Sequence, residues 1–359
     1  MKVESRKVQK VGTSTLAVSL PKRWAESHHL QKGDVVLFED LRDGSLRIKA
    51  GEPGTGGREN AVYVVDADKA VDKGMLGRIV VGSYVIGRNH VIIRSANRIK
   101  SEHLREVRGA VNKLMGLGIM LETSDTIELQ CSVDAARFPM GMLIKRLYTI
   151  GATMQKEAIE ALATGNARMA EDARDREDEA DMLYWLALRL ILTAQADPEV
   201  AEKIGLRHQL PIVGNRLICK NLEHVADYAD NIARNALDIM AMDIELDDKL
   251  VRRLRRCSDI AGSIVADGLS CIFSHDIRLA NKAIEARDEV EALESQILDH
   301  TLRTGEDPAL VASVRAIAWS LRRIAEYGSE IAVIGINRYL ERDSTIFHED
   351  VEETARRGG

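Results

Sequence analysis

The chain has 359 residues, of which 30% are charged and 45% hydrophobic, and its formal net charge is −6. Its longest stretch without a charged residue, residues 11–21, is far shorter than the roughly 20 apolar residues that a membrane-spanning helix needs. The N-terminus has no apolar run of the signal-peptide type. The four cysteines include no Cys-x-x-Cys pair, which argues against a zinc ribbon and for reduced thiols. We therefore expect a cytoplasmic protein without a spanning helix.

The first fifty residues have the pattern of a small, β-rich unit. Short apolar alternations predict strands near residues 8–11, 16–20, 35–39 and 46–49. Pro21 predicts the start of a short helix, and Asp43-Gly44 predicts a hairpin turn. Strands this short bury too little surface for a stable monomer, so we predict that residues 1–50 form a dimer.

This unit is also basic, whereas the chain as a whole is acidic. Residues 1–23 carry six basic side chains against the single acid Glu4. A basic segment on an acidic protein indicates a polyanionic partner such as duplex DNA. A solvated surface arm is the alternative, and charge alone does not separate the two.

The next two segments are a linker and a mixed domain. Residues 51–60 contain four glycines and a proline, which is typical of a linker. Residues 61–135 alternate between strand-like and helical patterns, as in an α+β domain. We predict strands at residues 61–65, 90–94, 118–122 and 127–131, and helices at residues 69–86 and 102–115. No group of candidate catalytic or ligand-binding residues stands out here, so the sequence assigns no function to this domain.

From residue 138 onwards the pattern is helical almost throughout. Breaks are predicted at residues 165–166, 197–198, 210–211, 242–247, 274–276 and 305–308. They leave about six helices of roughly 25–30 residues, as expected for a helical bundle.

These helices contain an internal repeat. The segment LEHVADYADNIA at residues 222–233 is similar to LRRIAEYGSEIA at residues 321–332, and residues 173–183 resemble residues 283–293. Such similarity predicts two tandem three-helix repeats. We assign them to residues 138–240 and 247–341, followed by a tail at residues 342–359. Chance similarity between amphipathic helices is the alternative.

The first repeat has two carboxylate pairs at helical spacing, Glu177 with Asp181 and Glu223 with Asp227. Residues four apart share a helix face, where two like charges repel each other. If both faces meet, the four carboxylates would suit a divalent or iron cation, namely Mg, Mn, Zn or Fe. A solvated acidic face, neutralised by Arg174, Arg176 and His224, is the alternative.

The second repeat departs from this pattern. Arg287 and Arg322 stand at the positions of Glu177 and Glu223, while acids remain at Glu291 and Glu326. We predict that each arginine neutralises its glutamate, which leaves a weaker metal site or none. No general base or nucleophile accompanies the acidic pairs, and residues 138–359 contain no Glu-x-x-His of the ferritin-like di-iron type. We therefore expect no enzymatic activity; a metal-dependent phosphatase is the weakest alternative.

Two family resemblances follow from these residues. Residues 4–50, with RKVQKVGTSTLAVSLPKRW, LQKGDVVLFED and DGSLRIKA, resemble an AbrB/SpoVT-type swapped-hairpin DNA-binding domain. Residues 138–341 resemble PhoU, the phosphate-uptake regulator. LEHVADYADNIA is similar to that family's Leu-Glu-Arg-Ile-Gly-Asp-His-x-x-Asn-Ile-Ala stretch, with His224 and Ala226 in place of its Arg and Gly. The combination looks like the archaeal PhoU-type regulators that carry an AbrB-like head.

The resemblance implies a multidomain fold with a small β-rich swapped-hairpin head, an α+β middle domain and an all-α C-terminal domain of two tandem three-helix repeats. It also implies a homodimer through the head, metal-binding motifs at Glu177/Asp181 and Glu223/Asp227, and control of phosphate transport. The candidate DNA-binding residues are Arg6, Lys7, Lys10, Thr13, Ser14, Lys22 and Arg23. The leading hypothesis is a DNA-binding transcriptional regulator. The alternative is an adaptor that contacts the ATPase of a phosphate transporter and uses its head only to dimerise.

Overall fold

The computed structural model of the chain describes residues 5–40, 44–50, 61–206, 210–303, 307–341 and 346. The chain divides into two compact units, Met1–Ala61 and Val62–Gly359. The predicted linker at residues 51–60 and, except for Ile346, the predicted tail lie outside the described residues, as does Asp43 of the predicted turn. The expected fold class of a β-rich head, an α+β region and a helical C-terminal part is confirmed.

The N-terminal unit consists of two antiparallel hairpins and one short helix. Its elements are β1 (Gln9–Val11), β2 (Thr15–Ala17), α1 (Lys22–Ser27), β3 (Val36–Asp40) and β4 (Leu46–Ala50). Strand β1 pairs with β2 and β3 pairs with β4. Gly12 has φ +68° in the turn between β1 and β2, a conformation that glycine adopts without strain. Pro21 immediately precedes α1, as predicted from its fixed φ.

The second unit begins with a four-stranded sheet. Its elements are β5 (Val62–Asp66), α2 (Met75–Val85), β6 (His90–Arg94), α3 (Ser101–Asn112), β7 (Leu117–Glu122) and β8 (Thr126–Cys131). The strand order is β5-β6-β8-β7, with β5 and β6 parallel and the other pairs antiparallel. Alternate residues of the two central strands are buried, among them Val91, Ile93, Ile127 and Leu129, as expected for a sheet with one covered face.

The helix predicted at residues 69–86 begins later, at Met75. Ala67–Lys69 instead forms a short 3-10 turn, and Gly74 with φ +77° separates it from α2. The Glu106 carboxylate accepts hydrogen bonds from the backbone N–H groups of Gly74 at 2.6 Å, Leu76 at 3.1 Å and Gly77 at 3.3 Å. These bonds satisfy the free donors of the first turn and hold the pKa of Glu106 below its usual value.

Substitution Glu106→Gln is expected to lower the free energy of unfolding by about 1 kcal/mol at neutral pH, the usual value of a helix cap. Because the pKa of Glu106 is depressed in the folded state, its stabilisation is complete above the pKa of an unfolded glutamate and is lost as the pH falls through the folded pKa. The difference between variant and wild type should therefore shrink in acid. Urea unfolding at neutral and acidic pH measures it, with the exposed Glu330→Gln as control. An equal difference at both pH values would contradict the capping role.

The rest of the second unit is helical. The helices are α4 (Met140–Thr164), α5 (Ala167–Asp175), α6 (Glu177–Ala196), α7 (Pro198–Lys203), α8 (Leu210–Ala241), α9 (Asp248–Ser274), α10 (Ile277–Glu285), α11 (Arg287–Arg303) and α12 (Pro308–Leu340). From residue 138 onwards the described residues thus form nine helices, where about six longer ones were predicted. The middle helix of each repeat breaks, at Arg176 and at Ala286, and α7 is an additional short helix. The break predicted at 210–211 coincides with the start of α8 at Leu210, and Pro211 lies in the first turn of that helix, where proline is tolerated.

The two repeats share their local construction. The first helix of each ends on a residue in the left-handed conformation, Gly165 with φ +66° and His275 with φ +56°. The next residue caps the following helix, since Asn166 accepts a bond from Met169 and Asp276 accepts one from Arg278. A nine-residue helix and a break follow in both repeats. This agreement supports the alignment of residues 173–183 with residues 283–293.

Helices α9 and α12 approach each other closely at two glycines. A Cβ atom on Gly328 would lie 2.8 Å from the backbone nitrogen of Val265, and one on Gly268 would lie 2.7 Å from the Gly328 carbonyl oxygen. Only residues without a side chain allow the two backbones to come this close. Helix α9 also meets the length and hydropathy of a membrane-spanning helix, although the sequence predicted none, and half of its apolar window is buried inside the protein.

Candidate functional site

The acidic residues of the first repeat lie on two neighbouring helices. Glu177 is the first residue of α6, directly after the break at Arg176, and Asp181 follows one turn later. Glu223 and Asp227 lie in the middle of α8. Helix α6 packs against α8, so the two acidic faces meet, as required for a shared site.

The structure brings the four carboxylates together around Asp227. Oxygen atoms of Glu177, Asp181 and Asp227 all lie within 4.8 Å of one another, and so do ligand atoms of Glu223, His224 and Asp227. Asp227 belongs to both groups. Across the described parts of the chain, no further set of three or more such side chains comes this close. The sequence had placed His224 only in the neutralising alternative, so its place among the ligand atoms is new.

Burial makes the charged form of these carboxylates unfavourable. Glu223 is 7% exposed, and burial raises its pKa to about 7, with further repulsion from Asp227 and Asp181. Burial also raises the pKa of Asp181 and of Glu177. The N-terminus of α6 favours negative charge at Glu177, but Glu223 lies far from either end of α8. The carboxylates of the cluster therefore need positive charge nearby if they are all to be ionised.

Two lysines supply part of that charge. Lys220 Nζ lies 2.6 Å from Glu223 Oε2, and Lys113 Nζ, at the end of α3, lies 3.8 Å from Asp181 Oδ2. The arginines named in the alternative are engaged elsewhere, because Arg174 pairs with Asp230 at 2.9 Å and Arg176 pairs with Glu157. Lys220 lies three residues before Glu223, and this spacing could have predicted their ion pair from the sequence. Lys113 follows α3 in the sheet region of the same unit, and no sequence pattern marked it.

The ligand set fits a divalent cation. An ion about 2.2 Å from each of three donors places those donors within about 4.4 Å of one another. The ligand atoms lie within 4.8 Å of one another, so only a small side-chain movement brings them to that spacing. Carboxylate oxygens suit Mg or Mn, whereas an imidazole nitrogen suits Zn or Fe. Either group could hold such an ion, Glu177 and Asp181 with Asp227 or Glu223 and His224 with Asp227.

The second repeat carries arginines where the first has acids. Arg287 Nε lies 3.5 Å from Glu291 Oε1, and Arg322 Nε donates to Glu326 Oε1 at 2.9 Å. Arg322 also reaches Glu294 on α11 at 3.3 Å. The predicted pairs therefore form, and a guanidinium joins α11 to α12 in the region that matches the acidic cluster of the first repeat.

The candidate DNA-binding residues all lie on the surface of the N-terminal unit. Arg6 and Lys7 precede β1, Lys10 lies within it, Thr13 and Ser14 form the turn after it, and Lys22 and Arg23 begin α1. All seven side chains are exposed. Exposed basic and hydroxyl side chains can donate hydrogen bonds to phosphate oxygens.

Comparison with known proteins identifies both parts of the chain. The family model of the PhoU domain matches residues 144–236 and 254–342, just over half of the chain. The model described as antidote-toxin recognition MazE, bacterial antitoxin, matches residues 9–55. No curated protein shows significant similarity.

Two solved structures are similar to the helical part. PhoU from Pseudomonas aeruginosa has 18% identity and a TM-score of 0.47 over 55% of this chain and 93% of its own. The phosphate transport system regulatory protein PhoU from Streptococcus pneumoniae has 16% identity and a TM-score of 0.47 over 56% and 94%. The two repeats and the MazE/AbrB-like N-terminal domain expected from the sequence are thus confirmed by the family models. The chain belongs to the PhoU family.

Proposed function

We propose that the chain is a cytoplasmic regulator of phosphate uptake that binds duplex DNA through paired heads and a cation through its first repeat. Membership of the PhoU family supports the regulation of phosphate transport. The observation that carries the cation site is the meeting of carboxylates from α6 and α8 at Asp227.

A cation at this cluster would supply the missing positive charge and could leave a coordination position open for phosphate. Glu177 and Asp181 approach it from α6, and Glu223 and Asp227 approach it from α8. Because the ligands come from two helices, their grip on an ion ties α6 to α8. Binding or release of the ion would therefore change how α6 packs against α8, and so the arrangement of the helical bundle.

Substitution Asp181→Asn is expected to remove most of the bound metal from the purified full-length protein, because it takes a charged ligand from the cluster. The matched control is Glu291→Gln at the equivalent position of the second repeat, which should leave the metal content unchanged. Elemental analysis gives the content. A thermal shift gives the linked stability, about 2.7 kcal/mol when the free ion is at 100 times its Kd. Equal metal content in both variants would contradict the assignment.

Dimerisation of the head is supported by the large apolar side chains that are exposed in a single copy. None of the residues between 5 and 50 whose burial the structure describes is buried. Seven large apolar side chains are between 47% and 71% exposed, namely Val8, Val11, Leu16, Val18, Val35, Phe38 and Leu46. An apolar surface of this kind marks an interaction site. A second copy of the head is the occupant that the MazE/AbrB-like match favours.

Binding of promoter DNA from phosphate-transport genes should weaken with salt, with log affinity falling by about 0.9 per log unit of salt for each phosphate contact. Lys10→Ala removes one side chain from each head and should reduce this slope by roughly 1.8 in a dimer that contacts DNA twice. Gel shifts at several salt concentrations measure the slope. Lys249→Ala, on the exposed surface of α9, is the control with no expected effect.

The adaptor remains the second candidate function, because the exposed apolar side chains of the head account for dimerisation without any DNA. Light scattering of the same samples separates the two functions. A dimer that fails to shift promoter DNA even at low salt would contradict the DNA-binding proposal and favour the adaptor.

A further inference from the structure

The imidazole of His224 lies among the ligand atoms of the acidic cluster. Its Nδ1 atom is 3.2 Å from Glu223 Oε2 and 3.4 Å from Asp227 Oδ2. Asp227 lies three residues after His224 and four after Glu223, and positions three and four apart on a helix are neighbours. A cation between Glu223 and Asp227 would therefore meet a ring nitrogen as well as two carboxylates.

The second repeat holds this ring in place from the other side. The ring of Tyr327, on α12, lies against His224 with centroids 4.8 Å apart and an angle of 31° between the planes. Arg323 in turn donates a hydrogen bond to the Tyr327 hydroxyl at 2.6 Å. Packing that restricts the ring lowers the entropy lost on ligation, which is how supporting residues sharpen a metal site.

We propose that His224 is a nitrogen ligand of the cation held by Glu223 and Asp227, and that it gives the site a preference for a borderline transition-metal ion such as Zn²⁺ over Mg²⁺. This proposal rests on the proposed function of the first repeat. Oxygen-only sites suit Mg²⁺, whereas imidazole strengthens the binding of Zn²⁺ and Fe²⁺.

Lys220 provides an internal comparison. Its ammonium group lies 2.6 Å from Glu223 Oε2, the same oxygen that faces His224. A cation that binds Glu223 must compete with this ammonium, whatever its chemical type. Removal of Lys220 should therefore strengthen the binding of Zn²⁺ and Mg²⁺ together, whereas removal of His224 should weaken only Zn²⁺.

Calorimetric titration of the full-length, metal-free protein with Zn²⁺ and with Mg²⁺ tests the proposal. In His224→Gln, the affinity for Zn²⁺ should fall about tenfold or more, while that for Mg²⁺ stays within about twofold. In Lys220→Met, both affinities should rise. His90→Gln is the matched control, because His90 pairs with Glu128 at 2.5 Å on the sheet and should not affect either ion. Absorption of bound Co²⁺ gives a second readout, which should change in His224→Gln alone.

Circular dichroism of each variant verifies that the helices are retained. Equal loss of Zn²⁺ and Mg²⁺ affinity in His224→Gln, or no change in either, would overturn the nitrogen ligand and leave the carboxylate site standing. If the wild type binds neither ion, both this proposal and the metal part of the proposed function fail. The two failures are therefore distinguishable in one set of titrations.

Discussion

Substitution Gly328→Val is expected to destabilise the protein by about 3 kcal/mol, at the upper end of the usual cost of overpacking. The added Cβ would lie 2.8 Å from the backbone nitrogen and 2.9 Å from the Cα atom of Val265. Backbone atoms of a long helix cannot move aside as a flexible side chain can, so α9 and α12 must separate. Gly328→Ala should also destabilise, even though alanine favours a helix by about 1 kcal/mol over glycine.

Gly109→Ala is the control for this crossing. Gly109 lies in α3, and a Cβ atom there meets nothing within 4 Å. Alanine should therefore stabilise α3 by about 0.5–1 kcal/mol. Thermal and urea unfolding of the three variants measure the effects. A Gly328→Ala variant that is as stable as Gly109→Ala would show that the two helices do not touch at this point.

Substitution Arg189→Leu is expected to cost roughly 3 kcal/mol, because it removes three hydrogen bonds that one buried guanidinium donates. Arg189 is 5% exposed, although it lies on α6. Its guanidinium donates to the carbonyl oxygens of Tyr84 and Arg88 and to the Asn89 side chain, all at the end of α2 and the turn that follows. It also lies over the Tyr84 ring, 4.8 Å from the centroid. This one side chain therefore ties the sheet region to the helical bundle.

Arg253→Leu is the matched control for Arg189. Arg253 also donates to a backbone carbonyl, that of Gln296 at 3.4 Å, but from an exposed position. Its loss should change stability by no more than about 0.5 kcal/mol. Urea unfolding gives both values, and limited proteolysis near Arg88 reports whether the turn after α2 is released. Equal stability of the two variants would contradict the bridging role of Arg189.

Local pattern was enough to predict much of this protein. The i, i+4 spacing placed Glu177 beside Asp181 and Glu223 beside Asp227, and the repeat implied that their helices are neighbours. The same comparison predicted the pairing of Arg322 with Glu326. Each of these predictions depends on residues that are close in sequence or related by duplication.

What the sequence did not reveal depends on tertiary contacts. Arg189 stands in an apolar stretch, and nothing there marks which carbonyl groups it reaches. Lys113 approaches Asp181 only because α3 ends beside α6. The helix break at Arg176 could not be predicted, because no glycine or proline lies there. Gly328 carried no signal either, since a glycine inside a helix matters only where another backbone comes close.

The arginine pairs of the second repeat have a consequence for how the duplicated halves respond to their surroundings. A guanidinium is attached to the chain and keeps its charge throughout the physiological range. The half that contains Arg287 and Arg322 carries its own counter-charge permanently, so its acidic side chains need no ion from solution. On the proposed function, the first half takes its counter-charge from a cation in solution. Its helices α6 and α8 would then be held together only while that ion is bound, beside a second half that needs none.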